Sequence, residues 1–162
     1  MQIDVGKTLP TGEFVRIGAE GPETVYLSDL TVGRKVVIFG LPGAFTPTCD
    51  SAHVPSFIRT KDQFAEKGVA EIICISNNDA FVMDAWAEST GAKEAGITML
   101  ADPTGAFIKE IGMDFDAPPV GLYGRSKRFA LIAMDGVVTT LNLEDNPGEC
   151  DISGGERLLD AL

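Results

Sequence analysis

Positive charge is scarce in this chain of 162 residues, which has 13 Lys and Arg against 24 Asp and Glu and a formal net charge of −11. A surface of that sign repels phosphate groups, which argues against a nucleic-acid or anionic-membrane partner. No apolar stretch approaches the ~20 residues of a membrane span. Residues 1–7 also lack the basic and apolar regions of a secretory signal. We therefore expect a cytoplasmic protein.

Cysteine and histidine are rare as well. The three cysteines, Cys49, Cys74 and Cys150, are odd in number and far apart, which excludes the disulfide framework of a small secreted domain. No Cys-x-x-Cys pair occurs, which argues against a thioredoxin-type dithiol and against a zinc ribbon. His53 is the single histidine.

The chain shows no internal repeat, low-complexity tract or linker, so we predict one domain over residues 1–162. Apolar runs and helical patterns alternate along it. We predict strands at 14–17, 24–27, 35–41, 69–76, 97–101, 129–134 and 137–143, and helices at 50–67, 79–89, 104–111 and 153–162. This order predicts an α/β fold, with a mixed central β-sheet flanked by helices on both faces and an N-terminal β-hairpin extension.

Single residues set several of the predicted boundaries. Asp79 and Ser153 are predicted N-caps, the latter with a glutamate at the capping-box position. Pro55 is expected to bend the helix 50–67 or to break it in two. Asp135-Gly136 is the strongest turn signal in the chain and predicts a hairpin between the last two strands.

The segment Pro42-Gly-Ala-Phe-Thr-Pro-Thr-Cys49 joins a buried strand to the start of a helix. A cysteine at that point faces the positive end of the helix dipole and backbone N–H groups without an intrahelical partner. This environment favours the thiolate, which is the form that attacks. Thr46 can place a hydroxyl beside the sulfur or a bound oxygen substrate, and Gly43 lets the backbone come close to a ligand. From the residues alone, Cys49 is a candidate nucleophile, with an incidental cysteine in a turn as the alternative.

The pattern Pro42-x-x-x-Thr46-x-x-Cys49 is that of the peroxiredoxin active site, and residues 41–57 closely resemble the type II (peroxiredoxin-5-like) branch of that family. The similarity continues at residues 76–86, 100–103 and 124–129 and thus covers almost the whole chain. The resemblance implies a thioredoxin-like fold. It also implies thiol-dependent reduction of hydrogen peroxide and organic hydroperoxides in antioxidant defence and redox homeostasis, without a metal or organic cofactor.

The family's site residues can be carried over one by one. Cys49 matches the peroxidatic cysteine, and Thr46 matches the threonine that hydrogen-bonds the sulfur and the peroxide. Pro42 matches the proline that shields the sulfur. Arg125 matches the arginine that completes the site.

Arg125 belongs to a basic cluster at residues 125–128, which stands out on an acidic background. By charge alone the cluster is either a solvated loop or part of a site. The resemblance assigns Arg125 to the site, whereas we interpret Lys127 and Arg128 as surface charge.

The oxidised Cys49 has to be reduced again, and the sequence leaves the route open. Cys150 lies in an acidic, turn-rich segment close to, but not at, the place of the resolving cysteine of animal members, so it is a candidate resolving cysteine. Its acidic neighbours are expected to raise its pKa. Cys74 is interpreted as a buried core thiol, with pairing to Cys49 as the alternative. Without such a partner, glutathione, glutaredoxin or thioredoxin reduces Cys49 directly.

Two other functions are compatible with parts of this pattern. His53 follows Cys49 by four residues and would share its helix face, as in a Cys–His hydrolase. The resemblance argues against that pair, and we interpret His53 as a local hydrogen-bonding residue near the site, with tuning of Cys49 as the alternative. A peroxide sensor, in which Cys49 oxidation alters partner binding, is the second alternative. The family also implies a homodimer formed through loops near Phe45, Asp79 and Phe81.

Overall fold

A seven-stranded mixed β-sheet forms the centre of the structure, a computed structural model that describes residues Met1–Leu162. The strands are β1 (Glu13–Gly18), β2 (Gly21–Tyr26), β3 (Lys35–Gly40), β4 (Glu71–Ser76), β5 (Thr98–Ala101), β6 (Asp114–Ala117), β7 (Leu122–Ser126), β8 (Phe129–Met134) and β9 (Val137–Leu143). The α-helices are α1 (Leu27–Thr31), α2 (Val54–Glu66), α3 (Ala80–Thr90), α4 (Ala92–Ala95), α5 (Ala106–Glu110) and α6 (Gly155–Leu159). A π-helical turn (Cys49–His53) precedes α2, and a 3₁₀ turn (Pro118–Val120) lies between β6 and β7.

The strand order in the large sheet is β2-β1-β5-β4-β3-β8-β9, and β6 and β7 form a separate two-stranded sheet. Strands β3, β4 and β5 run parallel, while β1 and β8 pair antiparallel to the two outer members of this group. Because β3 and β4 are parallel, the segments that follow Gly40 and Ser76 leave the sheet at the same edge.

The central strands are buried on both faces because helices cover both. Alternate residues of β3 point to opposite sides, so Phe39 packs in one apolar cluster with Phe57 and Trp86, while Ile38 packs in the other with Phe107. Helices α2, α3 and α6 lie on the first side and α5 lies on the second. The predicted mixed sheet with helices on both faces is confirmed, and the N-terminal hairpin β1–β2 joins the sheet through β5.

Pro55 marks a change of helix type rather than a break. Proline has no N–H with which to bond the carbonyl of Ser51 four residues earlier. The N–H of Val54 instead reaches the carbonyl of Cys49, five residues back, and closes the π-helical turn. Helix α2 then begins with Pro55 in its first turn, where a missing N–H costs little.

Two predicted local features are present. The Asp79 carboxylate accepts a hydrogen bond from the N–H of Val82 at 2.8 Å and caps α3. Asp135 and Gly136 have φ values of 50° and 78°, which is the backbone that a tight two-residue hairpin turn requires.

One hairpin was not predicted, and one helix start was predicted wrongly. Residues 114–126 were assigned no strand but form hairpin β6–β7, and α6 starts at Gly155 rather than at Ser153. Ser153 does not cap the helix, because its hydroxyl donates to the Glu144 carboxylate at 2.5 Å. None of the helices combines the length and the apolar character that a membrane crossing requires.

Candidate active site

Cys49 lies on the first turn of the helical segment that follows β3, as the sequence predicts. Its side chain is fully buried. The sulfur accepts a hydrogen bond from Nη2 of Arg128 at 3.1 Å. A guanidinium at that distance places a charged hydrogen-bond donor directly beside the nucleophilic atom.

Arg128 is buried, with 1% of its side chain exposed, so its interpretation as surface charge was wrong. Its Nε donates to the carbonyl of Pro147 at 2.9 Å and its Nη1 to Nδ1 of His53 at 2.9 Å. Together with the bond to Cys49, these contacts fix the plane of the guanidinium in three places.

A signal for Arg128 exists in the sequence. Arg128 directly precedes the apolar run of β8, which pairs antiparallel with β3 so that Phe129 lies opposite Gly40. The residue before Phe129 therefore lies next to the start of the active-site segment. To place Arg128 in this way, one must know how the strands pair, and local sequence patterns do not supply that information.

Arg125 projects from β7 onto the active-site loop rather than onto the sulfur. Its Nη1 donates to the carbonyl of Pro42 at 3.0 Å and lies against Gly43, where a Cβ would collide with it. This contact ties the start of the loop to hairpin β6–β7. The catalytic role expected for Arg125 stays a prediction.

The loop between Pro42 and Cys49 is also braced internally. The Thr46 hydroxyl donates to the carbonyl of Gly43 at 2.7 Å, and the Thr46 carbonyl accepts from the N–H of Asp50 at 2.9 Å. Phe45, which lies between Gly43 and Thr46, has a φ of 63°, a left-handed conformation that costs a non-glycine residue about 1–2 kcal/mol. The ring of Phe45 is consequently directed outward and is 54% exposed.

Two polar contacts join this loop to the neighbouring strand and helix. Asn78, just after β4, accepts bonds through Oδ1 from the N–H of Ala44 at 2.8 Å and from the Ser76 hydroxyl at 2.7 Å. Trp86 of α3 donates from Nε1 to the Asp50 carboxylate at 2.8 Å. The position of Asn78 at a strand end facing the active-site edge was visible in the sequence, but its role as a loop anchor was not.

His53 is buried and makes no hydrogen bond to Cys49. Its Nδ1 meets Arg128 and its Nε2 meets the carbonyl of Ser153 at 3.0 Å. Burial, together with the neighbouring Arg128 charge, lowers the pKa of His53 to about 3, and the Ser153 carbonyl opposes this shift only in part. Since both ring nitrogens are engaged elsewhere, the geometry does not support a Cys–His hydrolase pair.

Cys74 is a core thiol, as predicted. It lies in β4 opposite Phe39 and is fully buried. Burial raises the pKa of Cys74 well above its usual value, and the nearby Cys49 charge adds to this, although Arg128 acts in the opposite direction. Cys74 therefore stays a neutral thiol at physiological pH.

Cys150 is half-buried on the loop between β9 and α6. Its pKa is raised mainly by burial, with smaller contributions from Glu144 and Cys49, while Ser153 and Arg128 lower it. The predicted direction is confirmed, but its main cause is burial rather than acidic neighbours. A raised pKa makes Cys150 a poor attacking thiolate.

A cavity of about 320 Å³ opens in front of the catalytic segment. Pro42, Thr46 and Arg128 line its inner side, and Val120 and Leu122 of the β6–β7 region line its outer side. The cavity therefore offers polar groups next to Cys49 and apolar side chains farther out.

One unpaired thiol at the edge of a thioredoxin-like sheet, braced by an arginine, is the arrangement of a thiol-based oxidoreductase. Residues 4–159 match the family described as Redoxin. Rice (Oryza sativa subsp. japonica) peroxiredoxin-2C is 44% identical over 161 residues, which cover 99% of this chain and 98% of the relative. The chain belongs to the redoxin family and, within it, to the type II peroxiredoxins.

Solved structures agree with this assignment. Reduced Prx3 in complex with H2O2 from Vibrio vulnificus is 43% identical, with a TM-score of 0.92 and 99% of both chains covered. Peroxiredoxin 5 from Alvinella pompejana is 29% identical, with a TM-score of 0.83 and coverage of 98% of this chain and 97% of that one. The thioredoxin-like fold and the peroxiredoxin resemblance are thus confirmed, and the protein is a thiol-dependent peroxidase.

Proposed function

We propose that Cys49 reduces hydrogen peroxide and organic hydroperoxides, and that Arg128 is the charged group that supports the attack. The observation that carries this proposal is the bond from the buried Arg128 guanidinium to the Cys49 sulfur. The thiolate attacks the terminal oxygen of the hydroperoxide, so an S–O bond forms while the O–O bond breaks. The leaving oxygen takes a proton and departs as water or an alcohol, and Cys49 becomes a sulfenic acid.

The neighbouring residues take distinct parts in this step. Charge builds up on the two peroxide oxygens as their bond stretches, and preorganised donors stabilise that charge. Arg128 lines the cavity, bonds the sulfur and is placed to act as such a donor. The Thr46 hydroxyl also lines the cavity, but it donates its hydrogen to Gly43, so it is placed to accept a hydrogen bond from the hydroperoxide O–H. We expect Pro42 to shield the sulfur, while Arg125 donates to the Pro42 carbonyl and so ties the loop to hairpin β6–β7.

The cavity supports organic hydroperoxides as well as hydrogen peroxide. A hydroperoxide group at Thr46 and Arg128 leaves its substituent among the apolar side chains of the outer wall, such as Val120 and Leu122. Burial of that substituent is favourable at about 25 cal/mol per Å² of apolar surface. Hydrogen peroxide has no such substituent and gains nothing from the outer wall.

We propose that an external thiol reduces the sulfenic acid, with glutathione, glutaredoxin or thioredoxin as candidate reductants. The Cys150 loop is held by the Glu144 carboxylate, which accepts from the N–H groups of Asp151 and Ser153 at 2.8 Å each. Thr48 adds a hydroxyl bond to the carbonyl of Gly148 at 2.7 Å. A reductant thiol displaces water from the sulfenic acid to form a mixed disulfide, and a second thiol then releases Cys49.

We further propose a homodimer formed through the loops around the active site, in a cytoplasmic protein. Phe45 is 54% and Phe81 is 68% exposed, and both follow strands that end at the catalytic edge of the sheet. Sedimentation at micromolar concentration tests this association. We expect a dimer that Phe81→Asp converts to monomer, and a monomeric parent protein would refute the assembly.

Mass spectrometry after one equivalent of peroxide tests the chemistry directly. We expect a trapped sulfenic acid on Cys49, turnover with a thiol reductant, no turnover in Cys49→Ser and full turnover in Cys74→Ser. A crosslink between Cys49 and Cys150 would show that Cys150, rather than an external thiol, reacts first with the sulfenic acid. Full activity in Cys49→Ser would refute the proposed function.

A further inference from the structure

The buried side of the active site contains a continuous chain of hydrogen bonds that extends beyond the groups assigned to the peroxide reaction. It runs from Glu144, after β9, through Ser153 to His53, and from there through Arg128 to Cys49. All five side chains are buried, with 8% or less of each exposed.

The partners of His53 determine its protonation at both ring nitrogens. A backbone carbonyl only accepts, so Nε2 must carry a hydrogen to bond the Ser153 oxygen. A guanidinium only donates, so Nδ1 must be free of hydrogen to accept from Arg128. These two requirements are independent and select the same species, the neutral ring with its hydrogen on Nε2.

At the other end of this hydrogen-bond chain, Glu144 holds Ser153, whose carbonyl accepts a hydrogen bond from His53. One oxygen of Glu144 accepts from the Ser153 N–H at 2.8 Å and from the Ser153 hydroxyl at 2.5 Å. The carbonyl of Ile152, in the same peptide as the Ser153 N–H, accepts from the side-chain amide of Asn142 at 2.9 Å. On the other side, the N–H of Gly155 donates to the Ser56 hydroxyl at 2.9 Å. Because the peptides on both sides of it are anchored, the Ser153 carbonyl is held in place toward His53.

The ring itself is held in a slot of the core. Its centroid lies 4.9 Å from that of Phe39 and 5.7 Å from that of Phe57, which restricts rotation of the imidazole. The lone pair of Nδ1 is thus presented at a fixed place next to Arg128. Such an acceptor orients the Arg128 guanidinium, and it does not neutralise the guanidinium charge because the ring is itself neutral.

We propose that His53, as the neutral Nε2–H tautomer held by Glu144 and Ser153, is a positioning residue that aims the Arg128 guanidinium at the Cys49 sulfur. This inference rests on the proposed role of Arg128 in the peroxide reaction. The ring takes no proton from Cys49 and touches no substrate. Its effect is to keep one N–H of Arg128 on the line toward the sulfur and the cavity.

The tautomer can be measured without any activity assay. His53 is the only histidine, so two-bond ¹H–¹⁵N correlation spectra of the reduced, ¹⁵N-labelled protein contain a single imidazole pattern. We expect the pattern of the Nε2–H tautomer, with nitrogen shifts that do not change between neutral and mildly acidic pH. The charged or titratable groups that face the ring are Arg128, just before β8, and Cys49 from its own turn, with Glu144 behind Ser153. An Nδ1–H pattern, or a ring that titrates near its ordinary value of 6.5, would overturn the proposal.

Two amide variants of His53 test the contributions of its two ring nitrogens separately. The amide of Asn occupies the place of Nδ1 and can accept from Arg128, whereas the amide of Gln occupies the place of Nε2 and can donate to Ser153. We expect His53→Asn to keep most of the rate with hydrogen peroxide, and His53→Gln to lose roughly tenfold, the worth of one hydrogen bond to a charged group. His53→Phe, which keeps a ring between Phe39 and Phe57, should lose as much as His53→Gln.

The variants also separate a positioning role from a structural one. If His53 only stabilised the loop, His53→Gln would be the more active amide variant, and that order would overturn the proposal, as would equal rates in both. Thermal midpoints measured in parallel show which variants are folded. A parent protein that fails to turn over peroxide while showing the Nε2–H pattern would contradict the proposed function and leave the tautomer assignment standing.

Discussion

Replacement of Arg128 by methionine removes the charged donor from the sulfur while keeping a long, unbranched side chain in the core. The variant loses the 3.1 Å bond to Cys49 and the bonds to His53 and Pro147. Loss of one preorganised donor at a site of developing charge lowers catalytic rates by roughly 10²–10³-fold. We expect a loss of that size in the rate at which reduced enzyme reacts with hydrogen peroxide.

Two other variants in the same basic cluster calibrate this loss. Arg125→Met removes one bond from a charged donor to the Pro42 carbonyl, which is worth about 1.5 kcal/mol or roughly a tenfold change in rate. Lys127→Met removes the same charge from a side chain without a hydrogen-bond partner, and should stay within about twofold of the parent protein. The expected order of damage is therefore Arg128, then Arg125, then Lys127.

Rapid quenching followed by mass spectrometry of Cys49 gives the rate constant of the first oxidation without involving the reductant. Far-ultraviolet circular dichroism shows whether Arg128→Met is folded, and Arg128→Lys provides a second variant that retains the charge with a different donor geometry. A folded Arg128→Met protein that reacts within fivefold of the parent would refute our reasoning. So would an Arg125→Met protein that loses as much as Arg128→Met.

Three further predictions follow from the recycling route, the cavity and the C-terminal loop. Cys150→Ser should retain turnover with glutathione and glutaredoxin or with thioredoxin, and loss of coupled peroxide consumption in every reductant system would indicate an internal disulfide. Leu122→Ser should lower kcat/KM for cumene hydroperoxide about fivefold because apolar burial is lost, while hydrogen peroxide is unaffected; an equal loss for both substrates would argue against an apolar subsite. The hydrogen bonds from Ser153 and the neighbouring N–H groups outweigh burial and lower the pKa of Glu144 below its ordinary value of 4.5. A depressed carboxyl pKa contributes stability that is present above that value and is lost as the pH falls through the folded-state pKa. Thermal midpoints should therefore fall less steeply with acidification in Glu144→Gln than in the parent protein, and parallel pH curves would contradict the assignment.

The position of the reactive thiol was accessible from sequence because it depends on local order alone. A strand followed by a stiff loop and a helix start places Cys49 at the sheet edge whatever the rest of the chain does. The buried Cys74 was equally local, because a cysteine inside an apolar strand packs in the core.

Arg128 was missed because its environment is not local. Its burial follows from the antiparallel pairing of β8 with β3, which brings it to residues about eighty positions earlier in the chain. Arg125 and Arg128 are indistinguishable by composition, and the resemblance was carried onto Arg125, whereas Arg128 is the arginine that bonds the sulfur. Only the strand register separates them.

Hairpin β6–β7 and the C-terminal loop were missed for related reasons. The hairpin consists of two short strands separated by a turn that contains Pro118 and Pro119, and neither strand has the apolar alternation that identifies a strand in sequence. Ser153 has the composition of a helix cap, but Glu144 competes for its hydroxyl from nine residues away. In both cases a tertiary partner overrides the local preference.

The hydrogen bond between Trp86 and Asp50 gives this enzyme a built-in optical reporter. Trp86 is the only tryptophan, it is fully buried, and its indole N–H is bonded to the residue that directly follows Cys49. Any movement of the π-helical turn that exposes the sulfur must stretch or break this bond and let water reach the indole. Emission from a single, unlabelled residue therefore reports how the catalytic turn opens and closes, in real time and in every variant that leaves Trp86 in place.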